Sequence, residues 1–143
     1  MTVKQGLKEK NKLVAEIKSL FDIVKTYNSI EEGNPRKYSV VETLEKIEKL
    51  TLQLVDLKSK IHRANSPVYD KIFLMAELKN AAKILKSVNC DEGRVNERYG
   101  TISSFKQTEI DVVRRDEMVK DLEGMIEKLQ DELDHHNATT MID

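Results

Sequence analysis

Apolar residues recur along most of the chain at spacings of three and four, the period of a helix with one buried stripe. In the opening segment Val3, Leu7, Val14, Ile17, Phe21 and Val24 keep that period, with Leu13 and Leu20 alongside. Thr2 followed by Gln5 fits a capping box, so a first helix is expected over about residues 3–30. Gly33, Asn34 and Pro35 then break it, because proline has no amide to donate and disfavours helix at the residue before it. Ser39 and Glu42 repeat the capping pattern. Val40, Leu44, Ile47, Leu54 and Ile61, flanked by Leu50 and Leu57, carry a second helix over about 39–64. Two helices of similar length with a short polar connection predict a long αα-hairpin with arms of ~40 Å. Lys10, Asn28, Thr51 and Lys58 interrupt its seam, as residues that fix register or reach solvent along their stems do.

Asn65, Ser66 and Pro67 close the second helix and open a short irregular stretch. A third helix is expected over 72–89, with Leu74, Leu78, Ala81, Leu85 and Val88 as its stripe and Ala81–Ala82 permitting close approach of a neighbour. Glu77, Lys79, Lys83 and Lys86 interrupt it, which marks a packed element rather than a membrane segment. From Cys90 to Ile110 the period is lost, and Gly93, Gly100 and Ser103–Ser104 punctuate a loop, 90–110, in which Thr101, Ile102 and Phe105 form at most a short extended piece. Asp111 caps a fourth helix over 111–136, whose seam is Val112, Val119, Leu122, Ile126, Leu129 and Leu133, with Arg115 and His136 at polar core-type positions. Asn137 ends it, and 137–143 form a tail. The expectation is a single all-α domain: a long hairpin plus two further helices in an elongated antiparallel four-helix bundle, with one long loop before the last helix.

The third helix is shorter than the hairpin arms by about two turns, or ~12 Å. Phe21, Val24, Val40 and Leu44 near the hairpin tip would then stay uncovered in a monomer. A homo-oligomer built through the long helices follows, most simply by symmetric packing.

Composition agrees with this frame. The 143 residues include 5 Gly, 2 Pro and no Trp, which leaves little chain for loops. No run approaches the ~18 consecutive apolar residues of a spanning helix, and the opening residues lack the apolar stretch of a signal peptide, so a cytoplasmic protein is expected. Cys90 is the one cysteine, which excludes an intramolecular disulfide. The net charge of −1 hides an asymmetry: residues 1–65 carry 13 Lys or Arg against 9 Asp or Glu, and residues 66–143 carry 11 against 16. Opposite balances of this kind complement each other within a bundle or between subunits. Lys4, Lys8, Lys10 and Lys12 do not make a nucleic-acid arm, since no aromatic residue accompanies them and Glu9 and Glu16 lie among them.

The chemistry present is sparse. Glu132 and His135 have the Glu-x-x-His spacing of carboxylate-bridged metal bundles, but such a site needs two of these motifs and two further glutamates. His62 has no carboxylate three residues before it, and no cofactor or metal is expected. Cys90 lies between Asn89 and Asp91, with no basic residue before Arg94 to activate it. There is no phosphate-cradling glycine loop. The polar residues that stand out lie at helix ends: Arg63 and Asn65, Arg98 and Tyr99, then Asn137, Thr139 and Thr140. Between antiparallel helices, Arg63, Asn65, Asn137 and Thr140 fall at one end, where they either cap carbonyls and tie down the tail or form a pocket for a small anion or polar ligand.

The stretch Ile61-His62-Arg63-Ala64-Asn65, the Arg98-Tyr99 pair, the Ile110-Asp111-Val112 entry to the last helix and the ending Asn137-Ala138-Thr139-Thr140 carry a family likeness. In these segments the chain resembles a family of small bacterial helical proteins that commonly bear the name septicolysin. The likeness is continuous over the last 33 residues and looser before them; Ser66–Lys71 is shortened, and Ala138 stands where the family has an aromatic residue. The resemblance implies an intracellular, helical, self-associating protein. The cytolysin in the family's name finds no support in these residues, which provide neither barrel-forming amphipathic strands nor an insertable apolar helix.

The leading expectation is therefore a non-enzymatic oligomeric scaffold or interaction protein that partners itself, with no nucleic acid and no membrane. The alternative is a ligand-binding or hydrolytic site at the helix-end cluster, with Arg63 holding an anion and Tyr99, Thr139 or Thr140 orienting it.

Overall fold

The computed structural model describes residues 1–96 and 103–143. The described chain is mostly helical, in the order α1 (Val3–Tyr27), α2 (Val40–Asn65), a 3-10 turn (Ser66–Val68), α3 (Tyr69–Lys86), β1 (Gly93–Asn96), β2 (Ser103–Lys106) and α4 (Val112–Thr139). It groups into two compact units, Met1–Pro67 with His135–Asp143, and Val68–Asp134.

In the first unit α1 and α2 pack as the expected hairpin. Both halves of the predicted capping box are present at α1: the Gln5 amide donates to Thr2 Oγ1 at 3.2 Å and the Thr2 amide to Gln5 Oε1 at 2.8 Å. Ser39 Oγ caps α2 by accepting from the Glu42 amide. α1 stops at Tyr27 rather than near residue 30. Arg36 reaches back from the turn and donates to the carbonyls of Tyr27 (2.8 Å) and Asn28 (3.1 Å), closing the helix before the glycine is reached. Gly33 takes φ 87°, a left-handed backbone that a residue with a Cβ resists.

The seam differs from the expected stripe by a rotation. Val3, Gly6, Lys10, Leu13, Ile17, Leu20, Val24 and Tyr27 are buried or half-buried on α1, and Val40, Thr43, Ile47, Leu50, Leu54, Leu57, Ile61 and Ala64 on α2. Both sets alternate steps of three and four without a break, the a/d register of a coiled coil. Val14, Phe21 and Leu44, expected in the stripe, sit beside it and are exposed. A seam between two helices is narrower than the apolar arc of α1, so part of that arc remains outside. Of the interrupting residues, Lys10 is half-buried in the seam, whereas Asn28, Thr51 and Lys58 lie outside it.

The tail completes this unit. Val3 donates to Thr140 O (2.8 Å), Ile142 donates to Met1 O (2.9 Å), and Thr2 and Met141 form an antiparallel bridge. Ile142 joins Val3, Leu13, Leu57 and Ile61 in one buried cluster. It fits there because residue 6 is glycine: a Cβ on Gly6 would come within 2.6 Å of Ile142 Cδ1 and 3.3 Å of Ile61 Cγ1.

In the second unit α3 begins at Tyr69, three residues before the expected start, because Pro67 sits inside a single 3-10 turn that needs no amide from it. The α3 stripe is also rotated. Val68 and Ala82 are buried, and Ile72, Met75, Leu78 and Leu85 half-buried, while Leu74 and Val88 are exposed. The α4 seam follows the expected period at Arg115, Val119, Leu122, Ile126, Leu129, Leu133 and His136, but Val112 lies outside it. Asp111 Oδ1 caps α4 by accepting from the Arg114 amide (2.8 Å). The helix runs on through Asn137 to Thr139, since an asparagine that keeps helical backbone does not end a helix. Lys71–Glu132 (3.1 Å) and Lys86–Glu123 (2.7 Å) link α3 to α4, and Arg115 donates to Val88 O (3.0 Å).

The segment expected as a loop, 90–110, contains an antiparallel hairpin that pairs Gly93 with Lys106 and Asn96 with Ser103. Strands of four residues are too short to show an alternating pattern, which is why the sequence reads as aperiodic. Phe105 lies in β2 as an extended residue; Thr101 and Ile102 fall outside the described residues.

Candidate functional site

The helix-end residues singled out from the sequence fall in the first unit, apart from Arg98 and Tyr99, which lie outside the described residues. Asn65 is the last residue of α2, and His136 lies one turn before the end of α4. They meet at 3.2 Å between Asn65 Oδ1 and His136 Nε2, and Thr140 Oγ1 lies 3.0 Å from His136 Nδ1. A carboxamide oxygen only accepts, so Nε2 carries the proton, and in the neutral ring Nδ1 accepts from the Thr140 hydroxyl. All three side chains are half-buried. The imidazole is the centre of the cluster, although as a sequence feature His136 is merely a polar residue on an apolar seam. That seam position was the available signal, since a half-buried imidazole needs partners for both nitrogens.

The other expected site residues are placed differently. Thr139 Oγ1 donates to His135 O (2.8 Å) within its own helix. Asn137 is half-buried in the last turn of α4. Arg63 is exposed, and its side chain has no hydrogen-bond or ion-pair partner among the described residues. With Lys60, Ala64, Met141 and Asp143 it lines a recess of about 220 Å³, and Lys60 is itself paired with Asp56 at 2.8 Å.

The order hydroxyl, imidazole, carboxamide is that of a nucleophile, its base and an orienting group. Acyl transfer also needs amides aimed at a developing oxyanion. Three amides of the tail and of the chain it pairs with are committed: Thr140 N to His136 O, Val3 N to Thr140 O and Ile142 N to Met1 O. The cluster therefore satisfies itself and fastens the tail to the ends of two helices. Among the described residues no group of three His, Cys, Asp or Glu side chains is placed to hold a metal ion, and Glu132 of the Glu-x-x-His spacing is engaged by Lys71. Nor, among them, is any helix long and apolar enough to cross a membrane.

No protein-family model matches the sequence, and no curated protein or solved structure matches it either.

Proposed function

We propose that this chain is a non-enzymatic helical scaffold or interaction module that acts by associating with itself. The observation that carries this reading is the second apolar stripe of the α1–α2 hairpin. After the coiled-coil seam is closed, Val14, Phe21 and Leu44 remain exposed along the same pair of helices. Exposed apolar residues spaced along one pair of helices are the usual makings of a protein contact. In this reading two such hairpins pack on each other, an arrangement separate from the elongated antiparallel four-helix bundle of α1–α4 within one chain that the sequence leads one to expect. A cytoplasmic setting and the self-association implied by the septicolysin resemblance belong to the same reading; nucleic acid, membrane and cofactors have no part in it. Sedimentation equilibrium of the full chain tests it. A dimer or larger species at micromolar concentration is expected, and a monomer throughout that range would sink the proposal.

A second reading is favoured by the unpartnered Arg63 side chain at the recess beside the tail: a site for a small anion, with Lys60, Ala64, Met141 and Asp143 as its other walls. Its test is thermal unfolding with inorganic phosphate or a small carboxylate. This reading predicts a rise in Tm that Arg63→Ala abolishes while the fold stays intact. No rise in the wild-type chain removes it.

A further inference from the structure

The two flanks of the α1–α2 seam are chemically different. On one, Lys46 pairs with Glu16 at 3.3 Å across the hairpin, and Glu9 and Lys60 occupy equivalent positions. Together with the approach of Ile61 to Gly6 and the ring contact of Tyr27 with Tyr38, that pair sets the register, so residues of α1 and α2 whose numbers sum to about 65 stand level with each other. On the opposite flank Leu7, Val14 and Phe21 of α1 stand level with Lys58, Thr51 and Leu44 of α2, with Val41 and Val55 one step further round α2. Val14 is 46% exposed, Phe21 42% and Leu44 44%. The margin beyond this stripe on α1 is basic, Lys4, Lys18 and Lys25, and the margin on α2 carries Glu45 and Glu48. These five charged residues are exposed and have no ion-pair partner among the described residues. Towards the hairpin tip this flank thus holds an apolar centre, Phe21 with Leu44 and Val41, between a positive edge and a negative edge, a combination complementary to itself.

We infer that this flank docks a second copy of the same chain through a two-fold axis parallel to the helices, setting α1 of each copy antiparallel to α2 of the other. The inference rests on the self-association proposed above and names its surface. A two-fold axis perpendicular to the helices would instead lay α1 on α1 and bring the lysine margins together, which like charges oppose. With the parallel axis the turns of both hairpins lie at one end, and Lys18 of one copy stands level with Glu48 of the other, twice by symmetry. Phe21 of each copy faces Leu44 and Val41 of the other, where the tip of the hairpin carries a recess of about 500 Å³ lined in part by Tyr38, Val41 and Leu44. Apolar burial supplies the attraction, and the charged margins select the orientation.

The test uses the full-length chain and charge exchange. Lys18→Glu alone and Glu48→Lys alone each create two like-charge contacts, and each raises the dimer dissociation constant by about tenfold at low salt. An equimolar mixture of the two variants restores wild-type association as a heterodimer, because each like-charge pair becomes an opposite-charge pair. Phe21→Lys dissociates the dimer, while the helical circular dichroism of every variant is unchanged. A wild-type monomer overturns both the self-association and this surface. A wild-type dimer indifferent to all three substitutions overturns the surface alone, as does a mixture that stays dissociated when the single variants do.

Discussion

His136 and Asn65 lie seventy-one residues apart in the chain and meet at 3.2 Å. Because the other nitrogen of the same ring meets Thr140 at 3.0 Å, one imidazole joins the end of α2, the end of α4 and the tail.

Removing either partner leaves a half-buried ring nitrogen unmet. Asn65→Ala and Thr140→Val should each cost about 1 kcal/mol in urea unfolding. The double substitution should cost less than the sum, because loosening one side of the ring weakens the other. Strict additivity would show that the three side chains do not act as a unit.

The glycine at position 6 and the isoleucine at 142 should be coupled in stability. Gly6→Ala adds a helix-favouring residue, worth about 1 kcal/mol in a free helix, but sets its Cβ against Ile142 Cδ1. In the wild-type background the clash should cancel or exceed that gain. In an Ile142→Ala background, which by itself costs about 2 kcal/mol or more, the same Gly6→Ala change should stabilise. Equal effects in both backgrounds would contradict the close fit.

Arg36 closes α1 by its two carbonyl bonds, so Arg36→Ala should fray the last turn of that helix. Amide exchange at Lys25 to Asn28 should speed up by about tenfold while exchange near Leu13 stays as it was. Uniform exchange changes along α1 would assign Arg36 a different role.

Arg115 is, with His136, one of two polar residues in the α4 seam, and its side chain is 21% exposed. Its guanidinium donates both to Val88 O and to Asp116. Arg115→Lys keeps the charge but cannot serve both partners from one planar fork, and should lower stability by about 1 kcal/mol. By contrast Lys86→Ala removes an exposed ion pair and should change stability by less than about 1 kcal/mol. Thermal unfolding of the two variants side by side reads the difference.

The helices and their caps were legible because each rests on local signals: Thr2 with Gln5, Ser39 before Glu42, Asp111 before α4, and the three-four period itself. Which face of each helix turns inward was less so. Val14 and Phe21 keep the helical period as well as Leu13 and Leu20 do, and only the partner helix decides between two adjacent apolar rows. Thr139 and Thr140 look alike in sequence, yet one bonds its own helix and the other the imidazole. β1 left no signal and β2 only the short extended piece expected at Phe105, since Arg94-Val95 and Ser104-Phe105 are too short for a pattern. Ile142 gave none either, because its burial depends on a glycine at the other end of the sequence.

The bridge between Thr2 and Met141 also orders events in time. Contacts between α1 and α2 close across one short turn, whereas the bonds of Val3 to Thr140 and Ile142 to Met1 close a loop of nearly the whole chain. Loop closure of that span comes late, so the groove beside Gly6 stays open until the rest of the unit has formed. Contacts made after the folding transition state hold the native state shut without hastening its formation. Ile142→Ala should accordingly accelerate unfolding and leave the refolding rate unchanged, which makes the last few residues a latch on lifetime rather than a guide to folding.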